Sequence, residues 1–149
     1  MTTMLERLKD EMKTAMKSRQ KERLGVIRLI LSAVKQVEVD ERIELDDARV
    51  ITVLDKMLKQ RRESIKQYRD ASREDLAEVE EAEILVIQDF LPQALTEAEI
   101  TEMVQAAITE VSASSIKDMG KVMGIVRPKM VGRADMSVVG VKIKALLAA

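Results

Sequence analysis

The sequence predicts an all-α fold, and three observations support this prediction. Apolar residues make up 46% of the chain and charged residues 34%, a mixture rich in helix-forming Ala, Leu, Met, Lys and Glu. Only five glycines and two prolines interrupt the 149 residues, so long helices are expected. Apolar residues recur at steps of three and four, and no period-two strand pattern competes with them. We therefore expect an N-terminal four-helix part and a small C-terminal three-helix part.

The N-terminal part is predicted to span residues 1–92 as one helical domain. Thr3 with Glu6 forms a capping box that starts the first helix, since each side chain satisfies the other's backbone N–H. Ser72 with Asp75 is predicted to open the fourth helix. The first three helices are predicted at about residues 4–17, 21–39 and 48–70. The fourth helix is predicted to end at residues 90–92.

The C-terminal part is predicted to span residues 96–149 as a second domain. Its first helix starts at a capping box of Thr96 with Glu99 and reaches about residue 111, and Ser115 with Asp118 caps the next helix. The remaining boundaries are marked by residues that stop or cap a helix: Pro128, Gly132 and Asp135. The last helix is expected at about residues 136–147.

Charge is patterned along the chain rather than spread evenly. Residues 38–47 form an acidic connection in which Asp46 or Asp47 caps the third helix. Residues 74–89 contain acids and no base, and they are expected to form a solvated face that pairs with the preceding helix. Two alternatives stay open. The acids could bind Mg²⁺, and the basic stripe of the preceding helix could bind RNA phosphates. This basic stripe comprises Lys56, Lys59, Arg62, Lys66, Arg69 and Arg73.

Several functions are excluded by residue types that the chain lacks. It has no cysteine and no histidine, so disulfides, the usual zinc sites and imidazole general bases are absent. One Tyr, one Phe and no Trp leave no platform for stacking several bases. No apolar run approaches the ~20 residues that span a bilayer, and charges come too early for a signal peptide. We expect a cytoplasmic protein without a membrane partner, a metal or a cofactor.

One group of residues resembles the catalytic set of an amidase. Ser114, Ser115 and Lys117 match the residue types of a Ser-Ser-Lys site, in which a lysine acts as the base. That chemistry needs a buried lysine with a lowered pKa and an oxyanion hole. The serines here stand at a predicted helix start, where capping explains them, so no catalytic residue is assigned.

Three of the five glycines lie in one basic segment, residues 117–133. Gly120 and Gly124 are four residues apart and share one face of the sixth helix, where each costs roughly 1 kcal/mol relative to alanine. Two explanations stay open at this point. Another helix crosses closely, or a sugar-phosphate backbone approaches between flanking cations. Residues 111–149 carry more bases than acids, which makes this the basic end of a nearly neutral protein with net charge −1.

The same segment carries a recognisable motif. Lys117–Gly124, Gly132–Asp135, Val139 and Leu146–Leu147 resemble the motif of the GatB/YqeY family, which forms the tail domain of the B subunit of glutamyl/aspartyl-tRNA amidotransferase. Gly140 departs from the pattern, because a polar helix former is expected there. The resemblance to the stand-alone branch of the family covers nearly the whole chain. It includes Leu24, Arg28–Glu38, Lys59–Ile65, Arg73–Glu78 and Phe90–Thr96.

The resemblance implies a function in holding RNA. In the amidotransferase this domain helps to hold the misacylated tRNA, while the chemistry resides elsewhere. A non-catalytic accessory module that binds tRNA or another folded RNA is therefore expected. Two alternatives are a helical module that binds an amidotransferase or translation protein, and a carbon–nitrogen ligase with glutamine as amide donor, by family association only. The expected RNA-binding residues are Lys117, Gly120, Lys121, Gly124, Arg127, Lys129, Gly132 and Arg133.

Overall fold

A computed structural model of the chain describes residues 3–148 and confirms the all-α fold. Within these residues lie seven α-helices, one 3₁₀ turn at Ile116–Asp118, and no strand. The helices are α1 (Met4–Lys17), α2 (Lys21–Glu41), α3 (Asp47–Asp70), α4 (Glu74–Gln88), α5 (Glu97–Glu110), α6 (Met119–Met130) and α7 (Met136–Ala148).

The chain divides into two compact units, Met1–Leu91 and Pro92–Ala149, and each has a hydrophobic core of its own. The first core joins α1 to α4 through side chains that are fully buried, among them Leu8, Ile27, Ile30, Leu54 and Ile87. The second core joins α5, α6 and α7 in the same way, through Val104, Val122, Val126, Met130, Val139 and Ile143. Each unit thus buries enough apolar surface to stabilise its own helices.

Both predicted capping boxes are present, which confirms the starts of two helices. The Thr3 hydroxyl accepts from the N–H of Glu6 at 3.1 Å, and the Glu6 carboxylate accepts from the N–H of Thr3 at 3.2 Å. Thr96 and Glu99 repeat this arrangement at α5, with both distances at 3.1 Å. Asp46 caps α3, because its carboxylate accepts from Arg49 N–H at 2.9 Å.

Asp135 caps α7, as the sequence indicates. Its carboxylate accepts from the N–H of Ser137 at 3.0 Å. The predicted boundaries of α6 are only partly correct. Ser115 makes no capping hydrogen bond with its side chain, and the N–H of Ser114 donates to Asp118 instead, at 2.9 Å. The helix continues past Pro128 to Met130, because a proline in the last turn removes only one intrahelical hydrogen bond, and Gly132 follows the end of the helix with a left-handed backbone, as predicted.

Each of four helices is followed by a non-glycine residue whose backbone is left-handed. Arg19, Arg42, Ser72 and Ser112 have φ of 57°, 56°, 58° and 54°. This corrects the prediction that Ser72 opens α4, since its left-handed conformation belongs to the end of α3 and α4 starts at Glu74 without a side-chain cap. Because α2 continues to Glu41, the acidic connection is also shorter than predicted.

Ion pairs between α3 and α4 agree with the predicted pairing of their charged faces. Arg69 binds Glu74 at 3.1 Å and also binds Glu81. Arg61, which lies outside the basic stripe, binds Glu83 at 2.8 Å. Hydrogen bonds to the two carboxylates raise the pKa of Arg69 above its ordinary value.

Phe90 is buried near the end of the first unit and lies under two arginine side chains. The guanidinium carbons of Arg7 and Arg23 are 4.9 Å and 5.3 Å from the centroid of its ring. Arg7 also donates to the Asp89 carbonyl and Arg23 to the Asp89 carboxylate, each at 2.7 Å. Cation–π contacts and hydrogen bonds together hold the residues that follow α4.

Candidate nucleic-acid interface

Helix α6 has a buried apolar face and an exposed face opposite to it. Val122, Val126 and Met130 are buried in the core of the second unit, at steps of four. At ~100° per residue, the opposite side of the helix is centred near Gly124. Gly120 and Gly124 are both exposed on that side. Among residues 3–148, no atom outside the backbone of α6 itself lies within 4 Å of the position where a Cβ would stand on either glycine.

This open space argues against one of the two explanations for the glycine pair, a close helix crossing within residues 3–148. Close helix crossing requires neighbouring atoms near the missing Cβ, and none is present at Gly120 or Gly124. Gly140 behaves differently, because a Cβ there would lie 3.6 Å from the methyl group of Met119 and 3.7 Å from that of Met123. Gly140, the residue that departs from the family motif, therefore lies where α7 packs against α6.

Cations flank the two exposed glycines. Helical geometry places Arg127 on one side of the pair and Lys121 on the other, within an arc of roughly 120°. Both cations are exposed, and α6 contains no acidic residue of its own. We call these four residues the glycine face. Two further exposed cations lie beside it, Lys117 on the 3₁₀ turn and Lys129 near the end of α6.

Asp118 lies beside the glycine face. Its carboxylate lies 3.8 Å from the ammonium group of Lys121, an exposed i,i+3 pair that contributes little to stability. The N–H of Ser114 donates to the same carboxylate and holds the pKa of Asp118 below its ordinary value. Asp118 is thus held by the backbone of the preceding turn, and Lys121 remains mostly accessible to solvent.

Gly132 and Arg133 have structural contacts that set them apart from the glycine face. Gly132 is buried with φ of 76°, a left-handed conformation that favours glycine. Arg133 is half-buried, and its Nε donates to the carbonyl of Gln93 at 3.0 Å. Its own carbonyl accepts from the N–H of Leu95 at 2.9 Å. These two predicted site residues connect the start of the second unit to the α6–α7 turn.

Two lysines of α7 were not among the predicted site residues. Lys142 donates to the hydroxyl of Thr101 at 2.5 Å and lies 3.6 Å from the Glu97 carboxylate, so it joins α7 to α5. Lys144 is exposed and lies one turn beyond Gly140 on α7.

The amidase-like residues lack the environment that this chemistry requires. Ser114 and Lys117 are exposed, whereas a lysine base has to be buried to lose its proton near neutral pH. No group of three or more acidic side chains is positioned to hold a metal ion in residues 3–148. Within the same range, none of the helices has the length and apolar character of a membrane span.

Comparison with known proteins agrees with the motif. The family model described as Yqey-like protein matches residues 5–147. The chain belongs to this family. A protein of Pyrenophora tritici-repentis, named altered inheritance of mitochondria protein 41, mitochondrial, is 32% identical over 148 residues, which cover 97% of this chain and 81% of the relative.

Two yeast relatives carry the same name. The protein of Lachancea thermotolerans is 35% identical over 72% of this chain and 59% of its own length. The protein of Meyerozyma guilliermondii is 30% identical over 82% of this chain and 66% of its own length. These names contradict the expected cytoplasmic location, because the relatives are named as mitochondrial proteins.

Proposed function

We propose that the protein is an accessory module that binds the backbone of a folded RNA, such as tRNA, through the glycine face of α6. The observation that supports this proposal is the open space above Gly120 and Gly124. Each glycine costs roughly 1 kcal/mol of helix stability, and no neighbouring side chain in the described chain makes use of the missing Cβ. An approaching ribose or phosphate offsets that cost by making contact with the bare helix backbone.

The charges on this face fit a phosphate ligand. Lys121 and Arg127 flank the glycines, with Lys117 and Lys129 beside them, and all four are exposed. Arg127 makes no ion pair with a described residue, so its guanidinium is available for a bidentate phosphate contact. Such contacts add attraction that depends on salt but do not read the base sequence.

The aromatic residues favour backbone contacts over base stacking. The single phenylalanine, Phe90, is buried under Arg7 and Arg23, and the single tyrosine, Tyr68, is half-buried on α3. Neither lies in the second unit, so the glycine face has no ring on which a base stacks. The ligand is therefore an RNA with a fixed fold, which presents its phosphates and riboses at defined positions.

The test is the salt dependence of RNA binding by the full chain. Affinity for a folded tRNA is measured by fluorescence anisotropy between about 50 and 200 mM KCl. Replacing both Lys121 and Arg127 by glutamine removes two phosphate contacts. The slope of log K against log salt should fall by roughly 0.7–0.9 for each contact.

A matched control changes the same net charge elsewhere. Lys56 and Lys59 are exposed on α3, and their replacement by glutamine should leave the slope unchanged. Arg133 is not a suitable test residue, because its contact with Gln93 makes a structural effect unavoidable. The proposal is wrong if the two double variants behave alike, or if the native protein does not bind tRNA at the lowest salt.

A further inference from the structure

All sulfur in this chain belongs to its ten methionines, because it has no cysteine. Oxidation at sulfur, which in many proteins involves cysteine thiolates, is therefore confined here to methionine thioethers. Half of the methionines lie in the second unit: Met103, Met119, Met123, Met130 and Met136. The effect of an oxidant on this unit thus depends on where each of these thioethers lies.

Met119 and Met123 lie one turn apart on α6, and both side chains end at the same place on α7. A Cβ on Gly140 would lie 3.6 Å from the methyl group of Met119 and 3.7 Å from that of Met123. These are van der Waals distances, so both methyl groups pack where the side chain of another residue would begin. The neighbouring α7 residues Val139 and Ile143 are fully buried in the core of the second unit. The two thioethers therefore belong to the contact that holds α7 against α6.

Solvent reaches the methionines to very different extents. Met119 and Met123 are partly exposed. Met130 of the same helix is fully buried, and Met57 in the first unit is 7% exposed. Met16 is 51% exposed near the end of α1, so its side chain is largely in water. An oxidant in solution thus has access to Met119 and Met123, although both take part in a helix contact.

We infer that Met119 and Met123 are a site of reversible oxidation that loosens α7 from α6. The oxidant is a hydroperoxide, which transfers its outer oxygen to a thioether sulfur. The S–O bond forms as the O–O bond breaks, and the proton of the transferred oxygen passes to the leaving oxygen. Sulfur loses two electrons, and the hydroperoxide is reduced to an alcohol, or to water when it is hydrogen peroxide. A methionine sulfoxide reductase removes the oxygen as water, with two electrons and two protons from thiols.

The sulfoxide weakens this contact because it is polar where the thioether was apolar. Its oxygen either stays in the apolar contact at Gly140, which costs free energy, or turns toward water and withdraws the methyl group from α7. Either response reduces the packing between α6 and α7. The second unit, Pro92–Ala149, is small and has a limited core. Oxidation at these two positions therefore lowers its melting temperature.

Leucine provides matched variants, because it has nearly the volume of methionine and resists oxidation. The test variant combines Met119→Leu with Met123→Leu. The control variant combines Met12→Leu with Met16→Leu, which have the same spacing on α1 in the first unit. Both variants remove two of the ten methionines, so they differ only in where the thioethers lie.

The experiment treats the full chain with hydrogen peroxide, locates sulfoxides by peptide mass spectrometry and follows unfolding by calorimetry. In the native protein, Met119 and Met123 should be oxidised while Met130 resists. The Tm of the second unit should fall by about 4–8 °C. The control variant should show the same fall, and the test variant should show none. Methionine sulfoxide reductase should restore the native Tm.

Three results would overturn the inference. The first is an unchanged Tm of the second unit when Met119 and Met123 are both oxidised. The second is an equal fall in the test variant, which would assign the effect to Met103 or Met136. The third is protection of Met119 and Met123 as complete as that of Met130. If the test variant does not fold, the single variants Met119→Leu and Met123→Leu replace it, and each should show a smaller fall than the native protein.

Discussion

Replacing Gly120 and Gly124 by alanine should stabilise the second unit and weaken RNA binding at the same time. A Cβ at either position meets no atom within 4 Å in the described chain, so the methyl groups cause no clash. Alanine is better than glycine in a helix by about 0.8–1.0 kcal/mol per site. The double variant should therefore gain about 1.6–2 kcal/mol. For a unit of this size, that is a rise in Tm of at least about 6 °C.

Two measurements on the full chain check this expectation, with Gly25→Ala as the control. Gly25 is also exposed within a helix and also has no atom within 4 Å of its Cβ position, but it lies on α2 in the first unit. Calorimetry should show the second unit stabilised in the double variant and the first unit in the control. Affinity for tRNA should fall about tenfold in the double variant alone, because the methyl groups occupy the space of the RNA backbone. Loss of stability would refute the packing argument, and unchanged affinity would refute the role of the glycine face.

Three further predictions concern helix ends, the first core and acid sensitivity. Ser72→Gly and Ser112→Gly should each raise the free energy of unfolding by up to about 1 kcal/mol in urea titrations, because φ values of 58° and 54° favour glycine; a loss would contradict the left-handed conformation. Phe90→Ala should lower it by about 3–5 kcal/mol, since the ring is buried; a change below about 1 kcal/mol would mean that the site collapses around the smaller side chain. The N–H of Thr96 holds the pKa of Glu99 below its ordinary value, so this carboxylate stabilises the fold above the unfolded pKa and the effect disappears as pH falls through the folded pKa. NMR titration should therefore give a midpoint for Glu99 below about 4.3, and a midpoint at or above this value would contradict the capping box in solution.

Helix content and most helix starts were predictable because they depend on residues close together in the chain. A capping box needs a threonine and a glutamate three positions apart, so Thr3 and Thr96 could be assigned from the sequence. Helix ends were less predictable. Arg19 and Ser112 adopt a left-handed conformation that few side chains favour. The N–H of the next residue then closes the helix end, from Gln20 to the Ala15 carbonyl and from Ala113 to the Ile108 carbonyl, each at 3.0 Å. Nothing in the residue types at these positions indicates that conformation.

The RNA-binding residues stay a prediction, and the sequence did not distinguish the structural environments of these residues. Gly120, Gly124 and Gly132 look alike in the sequence, yet the first two face open space and the third is buried in a turn. Arg127 and Arg133 likewise differ only in the structure, since Arg133 donates to the Gln93 carbonyl. Such differences depend on residues brought together across a long sequence separation, which local patterns do not specify.

The sequence by itself determined the all-α class, the capping boxes, the family and the absence of cysteine and histidine chemistry, because these depend on composition and short-range spacing. The tertiary structure decided which charged side chains form hydrogen bonds or ion pairs within the protein and which do not. The Asp47 carboxylate accepts from the N–H of Met4 across a separation of 43 residues, while Lys13 and Lys35 have no ionic partner among residues 3–148. These contacts join segments that the chain brings together only on folding, so local sequence patterns do not show which side chains they hold in place.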